Sequence, residues 1–185
     1  MRPRLSTVLA IAILFLCAHP AFAGDFSIGA ALGVARLDSG ILDDDQTAKK
    51  AWVAYHFFPF LAVEGALVDL GVHAGAVGVD SAAGTIYRLR LRGANASVVG
   101  TVPLGLFSLY ARAGVLFWDQ EERMIVTAGP DWTGASVDTS SSDPSYGVGF
   151  RLNLPLGLGV FVDYDRYRAD GRDFDAAFGG VRYRF

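Results

Sequence analysis

Residues 145–185 read SYGVGFRLNLPLGLGVFVDYDRYRADGRDFDAAFGGVRYRF and show the alternation of side chains most clearly. Side chains of a β-strand alternate between its two faces. In the last segment the apolar side chains therefore fall on one face and the arginines on the other: Val181, Tyr183 and Phe185 against Arg182 and Arg184. The two segments before it alternate in the same way. An apolar face opposite a face of glycine, arginine and aspartate is typical of barrels that meet lipid outside and hold polar groups inside.

The same alternation divides the rest of the chain into five earlier segments, which makes eight strands in all. We place the earlier five at 25–37, about 48–57, 61–70, 85–102 and 107–119. Short turns that contain Pro59, Pro103 and Pro155 alternate with long polar connections, of which 71–84 and 120–143 are the longest. Proline suits tight turns because its φ angle is fixed and it donates no ladder hydrogen bond. The pattern predicts an all-β, eight-stranded antiparallel transmembrane barrel.

The first 23 residues differ from the rest of the chain. Arg2 and Arg4 precede an apolar core that is too short for a membrane span, and residues 21–23 read Ala-Phe-Ala, a typical cleavage site. We therefore expect residues 1–23 to be a cleaved secretory signal and residues 24–185 to form the barrel domain. Cleavage would also remove the only cysteine, so no disulfide is expected.

Charge and hydropathy exclude several classes of protein. Without residues 1–23 the chain keeps 14 of its 16 basic residues against all 19 acidic ones, a balance that argues against nucleic-acid binding. After that segment no apolar run reaches the roughly 18 residues that a membrane helix needs. Only two lysines remain, Lys49 and Lys50, whereas a soluble barrel would carry many lysines and glutamates on its surface.

The closing segment resembles the end of OmpA-like, opacity-type barrels, which are related to the transmembrane domain of outer-membrane protein A. The resemblance covers essentially all of the chain after the signal and is strongest at 62–71, 109–119 and the last two hairpins. It implies a bacterial outer-membrane location, short periplasmic turns and longer extracellular loops. Tyr183 and Phe185 match the aromatic ending that the barrel assembly machinery reads in this family. Because the chain stops after the eighth strand, we expect no peptidoglycan-binding domain.

The faces of the strands also predict the lining of the barrel. We expect a polar network inside it that consists of Glu64, Arg88, Arg90, Arg92, Arg112, Arg151, Asp163, Asp165, Arg182 and Arg184. The resemblance supports the acids, since relatives commonly carry a glutamate in the third strand and an inward acid in the seventh. Arginines outnumber carboxylates, so we expect some forked pairs and other arginines held by water or anions. The network either fills and rigidifies the barrel or rearranges to admit small anions.

Three functions remain open for such a barrel. The first is a structural or surface-interaction role through the extracellular loops, whose ligand the sequence does not name. The second is a narrow gated channel for small solutes or anions, and the third is a lipid-active enzyme. The enzyme is least favoured, because neither His56 nor His73 begins the His-x-Ser arrangement that resembles lipid A deacylase barrels.

Acidic segments around Asp43 and Asp170 offer oxygen ligands for calcium but lack the EF-hand spacing.

We therefore expect a protein without cofactor or metal. The expected partners are outer-membrane lipid and lipopolysaccharide, together with the barrel assembly machinery during biogenesis. The barrel is expected to be a monomer.

Overall fold

The computed structural model describes residues 25–37, 45–80, 83–128 and 131–185, and it describes their side chains except at residues 37, 73–88 and 122–136. The predicted signal segment lies outside the described residues. Eight strands form one closed barrel in which each strand pairs antiparallel with its chain neighbours and β8 pairs with β1. The predicted eight-stranded antiparallel barrel is confirmed. The strands are β1 Asp25–Leu37, β2 Asp45–Phe58, β3 Leu61–Asp80, β4 Ala83–Leu104, β5 Phe107–Ala128, β6 Asp131–Asn153, β7 Leu158–Ala169 and β8 Arg172–Arg184.

One end of the barrel, here called the short-turn end, carries three tight connections. They are the turn at Pro59–Phe60, the turn at Gly105–Leu106 and a single 3₁₀ turn at Pro155–Gly157. Gly105 and Gly157 have φ angles of 71° and 77°, a left-handed conformation that glycine adopts at little cost. The opposite end is called the long end.

The prediction that segments 71–84 and 120–143 form loops is wrong over the described residues. β3 and β4 stay paired out to Asp80 and Ala83, and β5 and β6 stay paired out to Ala128 and Asp131. Beyond a membrane, water contacts both faces of a sheet. A strand there can be paired without alternating apolar and polar side chains, which is the pattern that identifies a strand in the sequence. These extensions of β3–β4 and β5–β6 are called the long hairpins.

An apolar band surrounds the outside of the barrel next to the short-turn end. Its outward side chains include Ile28, Leu32, Val34, Val63, Leu67, Val98, Val102, Leu109, Val115, Phe117, Val148, Val162 and Val181. On β5 the outward apolar residues run from Phe107 to Phe117, which matches the roughly 9–11 residues with which a tilted strand crosses a bilayer. The band therefore has the height of a membrane.

Outward charges begin on most strands where the apolar band ends. This charged ring consists of Arg36, Lys49, Asp69, Arg92, Asp119, Arg166 and Asp175. Directly paired ring positions on neighbouring strands carry opposite charges: Lys49 with Asp69, Asp69 with Arg92, Arg92 with Asp119, Arg166 with Asp175, and Asp175 with Arg36. Opposite charges at facing positions stabilise a strand pair, so the ring closes the band with complementary side chains.

The expectation that Arg90 and Arg92 line the lumen is wrong. Leu89 and Leu91 are the buried residues of this part of β4, while Arg90 and Arg92 point outward and lie within 4.0 Å of Asp69. The two arginines lie beyond the edge of the apolar band. Within the band the apolar side chains of a strand point outward to lipid, whereas beyond the band water contacts the outer face and the apolar side chains point into the barrel.

The interior at the long end is filled by large side chains. Leu70, Leu91, Leu116 and Phe174 are almost completely buried there, and we call this group the apolar plug. An eight-stranded barrel is just wide enough for side chains to fill it. Between the plug and the short-turn end, polar and charged side chains share the interior with Trp52, Phe161 and Phe178.

Candidate functional site

Lys50 lies at the centre of the buried polar groups, at 2 % exposure. Its Nζ donates hydrogen bonds to Oδ2 of Asp163 at 2.9 Å and to Oδ2 of Asp165 at 2.7 Å. Sequence reasoning missed this lysine. The signal was present in β2, where Val53 and Tyr55 alternate outward and therefore place Lys50 on the inward face.

Arg112 joins the three carboxylates of the interior. Its Nη1 donates to Oε1 of Glu64 at 2.9 Å, and its Nη2 donates to Oδ2 of Asp163 at 2.7 Å. Its Nε lies 3.5 Å from Oδ1 of Asp165. A guanidinium suits this position because its rigid fork presents several donors in one plane. Arg112 thus bridges separate carboxylates and forms no forked pair with a single one.

Two tyrosines complete the hydrogen bonding of the aspartates. The hydroxyl of Tyr110 donates to Oδ1 of Asp163, and that of Tyr167 donates to Oδ2 of Asp165 at 3.0 Å. The buried charge network therefore consists of Lys50, Glu64, Tyr110, Arg112, Asp163, Asp165 and Tyr167. Buried charges are tolerated only when they are paired and hydrogen-bonded, and each carboxylate here has a cation within 3 Å.

Glycines on β6 make the space that the network occupies. Gly147 pairs with Asp165 and Gly149 pairs with Asp163 in the strand register. A Cβ at Gly147 would lie 2.0 Å from Oδ1 of Asp165, and a Cβ at Gly149 would lie 2.4 Å from Oδ1 of Asp163. The aspartates can therefore lean across β6 only because neither position carries a side chain.

A cavity of about 220 Å³ opens on the short-turn side of the network. This lower cavity is lined by His56, Ser108, Arg151, Asn153, Arg182 and Arg184, among others. The guanidinium of Arg151 stacks on the ring of Tyr110, with Cζ 4.4 Å from the ring centroid. Arg182 donates through Nη2 to Oδ1 of Asn153 at 2.9 Å, and Arg184 pairs with Asp25 at the rim.

The predicted lumen residues are therefore distributed over three places. Glu64, Arg112, Asp163 and Asp165 meet in the buried charge network, and Arg151, Arg182 and Arg184 surround the lower cavity. Arg90 and Arg92 lie outside the barrel. The side chain of Arg88 lies outside the described residues.

Among the described residues, two forked arginine–carboxylate pairs lie on the outer surface. Arg36 holds Asp45 through Nε at 2.9 Å and Nη2 at 3.2 Å, and Arg166 holds Asp175 through Nε at 2.7 Å and Nη2 at 2.9 Å. Asp45 lies beyond the apolar band, and the hydrogen bond from Arg36 keeps the pKa of this carboxyl below its usual range. In the two acidic segments that offered oxygen ligands for calcium, Asp45, Asp173 and Asp175 are each bound by an arginine, and Asp43 lies outside the described residues.

Ser27 and His56 form a buried pair, with Oγ 2.8 Å from Nε2. A serine nucleophile needs such a base and also access to substrate. Ser27 is 0 % exposed, so its hydroxyl is closed off and the pair satisfies two buried polar groups. His73, the other candidate, has its side chain outside the described residues.

The end of the chain closes the barrel at the short-turn rim. The backbone N–H of Phe185 donates to the carbonyl oxygen of Phe26 at 2.9 Å. The rings of Tyr183 and Phe185 contact each other edge to face with centroids 4.9 Å apart, and both point outward at the edge of the apolar band.

No helix in the described ranges has the length and hydropathy to cross a membrane. Within the same residues, no three His, Cys, Asp or Glu side chains are arranged to hold a metal ion.

Comparison with known proteins agrees with this architecture. Residues 8–185 match a family model described as "Outer membrane protein beta-barrel domain". Similar solved structures include the attachment invasion locus protein Ail of Yersinia pestis, with 18 % identity, coverage of 88 % of this chain and 97 % of that chain, and a TM-score of 0.55.

Two further structures share the fold at similar levels. Neisserial surface protein A is 15 % identical over 88 % of this chain and 97 % of that chain, with a TM-score of 0.54. OprG from Pseudomonas aeruginosa is 15 % identical over 88 % of this chain and 96 % of that chain, with a TM-score of 0.55. No curated protein matches by sequence.

Proposed function

Since the chain belongs to the outer membrane protein β-barrel domain family, we propose that it is a structural and surface-interaction protein of the bacterial outer membrane that acts through its long hairpins. One observation carries this proposal. β4, β5 and β6 continue in paired form far beyond the charged ring, while the interior that they enclose is filled by the apolar plug and the buried charge network. The extra length of these strands thus extends an external surface, while the lumen stays closed.

The orientation follows the general rule for such barrels, in which short turns face the periplasm and long connections face outward. In this arrangement outer-membrane lipid surrounds the apolar band. The charged ring then lies at the level of the outer leaflet's polar groups, where lipopolysaccharide is the expected neighbour. Because a closed barrel leaves no strand edge unpaired, a monomer satisfies every ladder.

The aromatic end of the chain fits a role in assembly. Phe185 and Tyr183 present an exposed aromatic pair at the last strand, which is the pattern that the barrel assembly machinery reads in OmpA-like barrels. We propose the same use here.

A narrow gated channel is the alternative, and the lower cavity is the observation that favours it. The cavity lies directly on the short-turn side of the network. Arg112 and its carboxylates would then block the path of a solute that enters the barrel from this end. A through-path also requires the apolar plug to move. An enzyme is not proposed, because Ser27, whose hydroxyl lies beside His56, is 0 % exposed, although His56 itself lines the lower cavity.

The surface role is tested by shortening a hairpin. In the register Glu121 pairs with Asp138, so residues 122–137 can be replaced by a two-residue Asn-Gly turn that suits a hairpin. Outer-membrane vesicles carrying either protein would be tested on glycan-coated plates, with heparin included because one Ail structure contains a heparin analogue.

We expect wild-type vesicles to bind at least one glycan and the shortened variant to lose that binding. The variant should still migrate differently on gels before and after boiling, as a folded barrel does. Equal binding by both vesicles and by vesicles without the protein would contradict the surface role.

A further inference from the structure

We propose that the lower cavity is a binding site for a phosphate-type oxyanion at the short-turn end of the barrel. This site goes beyond the proposed surface role, since it lies at the opposite end of the molecule from the long hairpins. Arg151 and Arg182 carry the inference, with support from Arg184, Ser108 and Asn153.

The two arginines are buried and have unused donors. Each is only 6 % exposed. Nε of Arg151 and both Nε and Nη1 of Arg182 have no hydrogen-bond partner among the described residues. An unpaired charge in a confined interior is costly, and a hydrogen-bonded counter-charge removes much of that cost.

The carboxylates nearby are already engaged elsewhere. Glu64 is hydrogen-bonded to Arg112, and Asp163 is held by Lys50, Tyr110 and Arg112. Asp25 pairs with Arg184 at the rim. The cavity therefore keeps the positive charge of two guanidiniums that no protein carboxylate contacts within 4 Å in the described part of the chain.

The register shows that the strands build this site. Asn153, Gly159 and Arg182 occupy one row across β6, β7 and β8. A Cβ at Gly159 would lie 3.2 Å from Nε of Arg182, so the missing side chain leaves room for the guanidinium to cross β7 and reach Asn153. Asn153 in turn donates through Nδ2 to Oγ of Ser108 at 2.9 Å.

The volume and donors of the cavity select the class of ligand. A cavity of about 220 Å³ exceeds the roughly 30 Å³ share of a single water several-fold, which leaves space for a small oxyanion with some water. Guanidinium groups match the oxygen geometry of phosphate groups. Free phosphate and the phosphate of a lipid headgroup at the short-turn rim offer the same chemistry.

Calorimetric titration with inorganic phosphate tests the site, using the refolded protein in maltoside micelles and phosphate-free buffer. We expect one phosphate per barrel, and binding about tenfold or more weaker for Arg182→Gln, since a lost charged hydrogen bond has that effect. Arg151→Gln should weaken binding similarly. Arg168→Gln is the matched control, because Arg168 pairs with Asp173 on the outer surface and its loss should leave binding unchanged.

Native mass spectrometry separates the two sources of phosphate. The same micelles would receive inorganic phosphate in one arm and phosphatidylglycerol in the other, and the adduct that Arg182→Gln removes identifies the source. Should Arg182→Gln fail to fold, Arg151→Gln provides the same test. An absence of both adducts with the wild-type protein, or adducts that persist in every folded variant, would overturn the proposal.

Discussion

Nζ of Lys50 lies 2.7 Å from Oδ2 of Asp165 inside the barrel, although 115 residues separate them in the chain. β2 and β7 are not neighbours in the sheet, so this contact crosses the lumen. It joins opposite walls of the barrel through a charged pair whose side chains are at most 1 % exposed. The contact explains how the interior can be polar and still be firmly packed.

Lys50→Met should destabilise the barrel strongly. Among the described residues the change leaves Arg112 as the only cation within 4 Å of Asp163 and Asp165, and loss of one partner of a buried pair costs about 3–5 kcal/mol. Lys49→Met is the matched control, because Lys49 is the adjacent, outward-facing lysine. Urea unfolding of both variants in lipid vesicles measures the difference, and equal midpoints would contradict the network.

Val181→Arg should destabilise the barrel in lipid by about 2–4 kcal/mol, the cost of an arginine near the bilayer midplane. Val181 lies in the middle of the apolar band on β8, halfway between Ala177 and Phe185. Val137→Arg is the control, since Val137 is 58 % exposed and Val181 is 59 % exposed, yet Val137 lies beyond the charged ring. Equal unfolding free energies for the two variants would place the apolar band outside the membrane.

Side-chain alternation predicted most of the fold and only part of the interior. It located every strand, because within the band lipid requires apolar side chains outside. The alternation gave the wrong face for Arg90 and Arg92. It continues past the apolar band, but there the polar side chains point outward and the apolar ones, such as Leu89 and Leu91, point inward. The position of this switch depends on where the membrane ends, and the sequence of one strand does not show that position.

Lys50 shows a second limit of the sequence. The alternation of its neighbours in β2 predicts that Lys50 points inward, but its partners lie on β7. Which inward charges meet depends on the register and tilt of strands across the barrel. The sequence therefore suggested a polar interior with Glu64, Asp163 and Asp165 in it, but the central cation and the two tyrosines required the three-dimensional arrangement.

Gly147→Ala should displace Asp165 and disturb the network. The new Cβ would lie 2.0 Å from Oδ1 of that aspartate, and such overpacking costs about 1–3 kcal/mol. Gly179→Ala is the comparison, because nothing lies within 4 Å of its Cβ position. Thermal unfolding followed by circular dichroism should show a lower midpoint for Gly147→Ala alone. Identical midpoints would mean that β6 does not confine the aspartates.

Phe185→Asp should impair insertion into the outer membrane while export to the periplasm continues. The assembly machinery is proposed to recognise the aromatic C-terminus of the chain. The control is therefore an exposed aromatic residue elsewhere on the same rim, Phe60, which stacks on Phe58. The amounts of boiled and unboiled protein in membrane fractions measure assembly of Phe185→Asp and Phe60→Asp. Normal assembly of Phe185→Asp would make the terminal resemblance incidental.

We propose that the lumen is closed and that the protein works through its outer surface. Single-channel recording in planar bilayers with the wild-type protein and Glu64→Ala provides the test. Removing Glu64 takes one carboxylate from Arg112 and should lower stability, but the apolar plug remains. We predict no unitary current steps from either protein. Stable steps from the wild-type barrel, with a size or anion preference that Glu64→Ala changes, would contradict the claim and establish a gated pore.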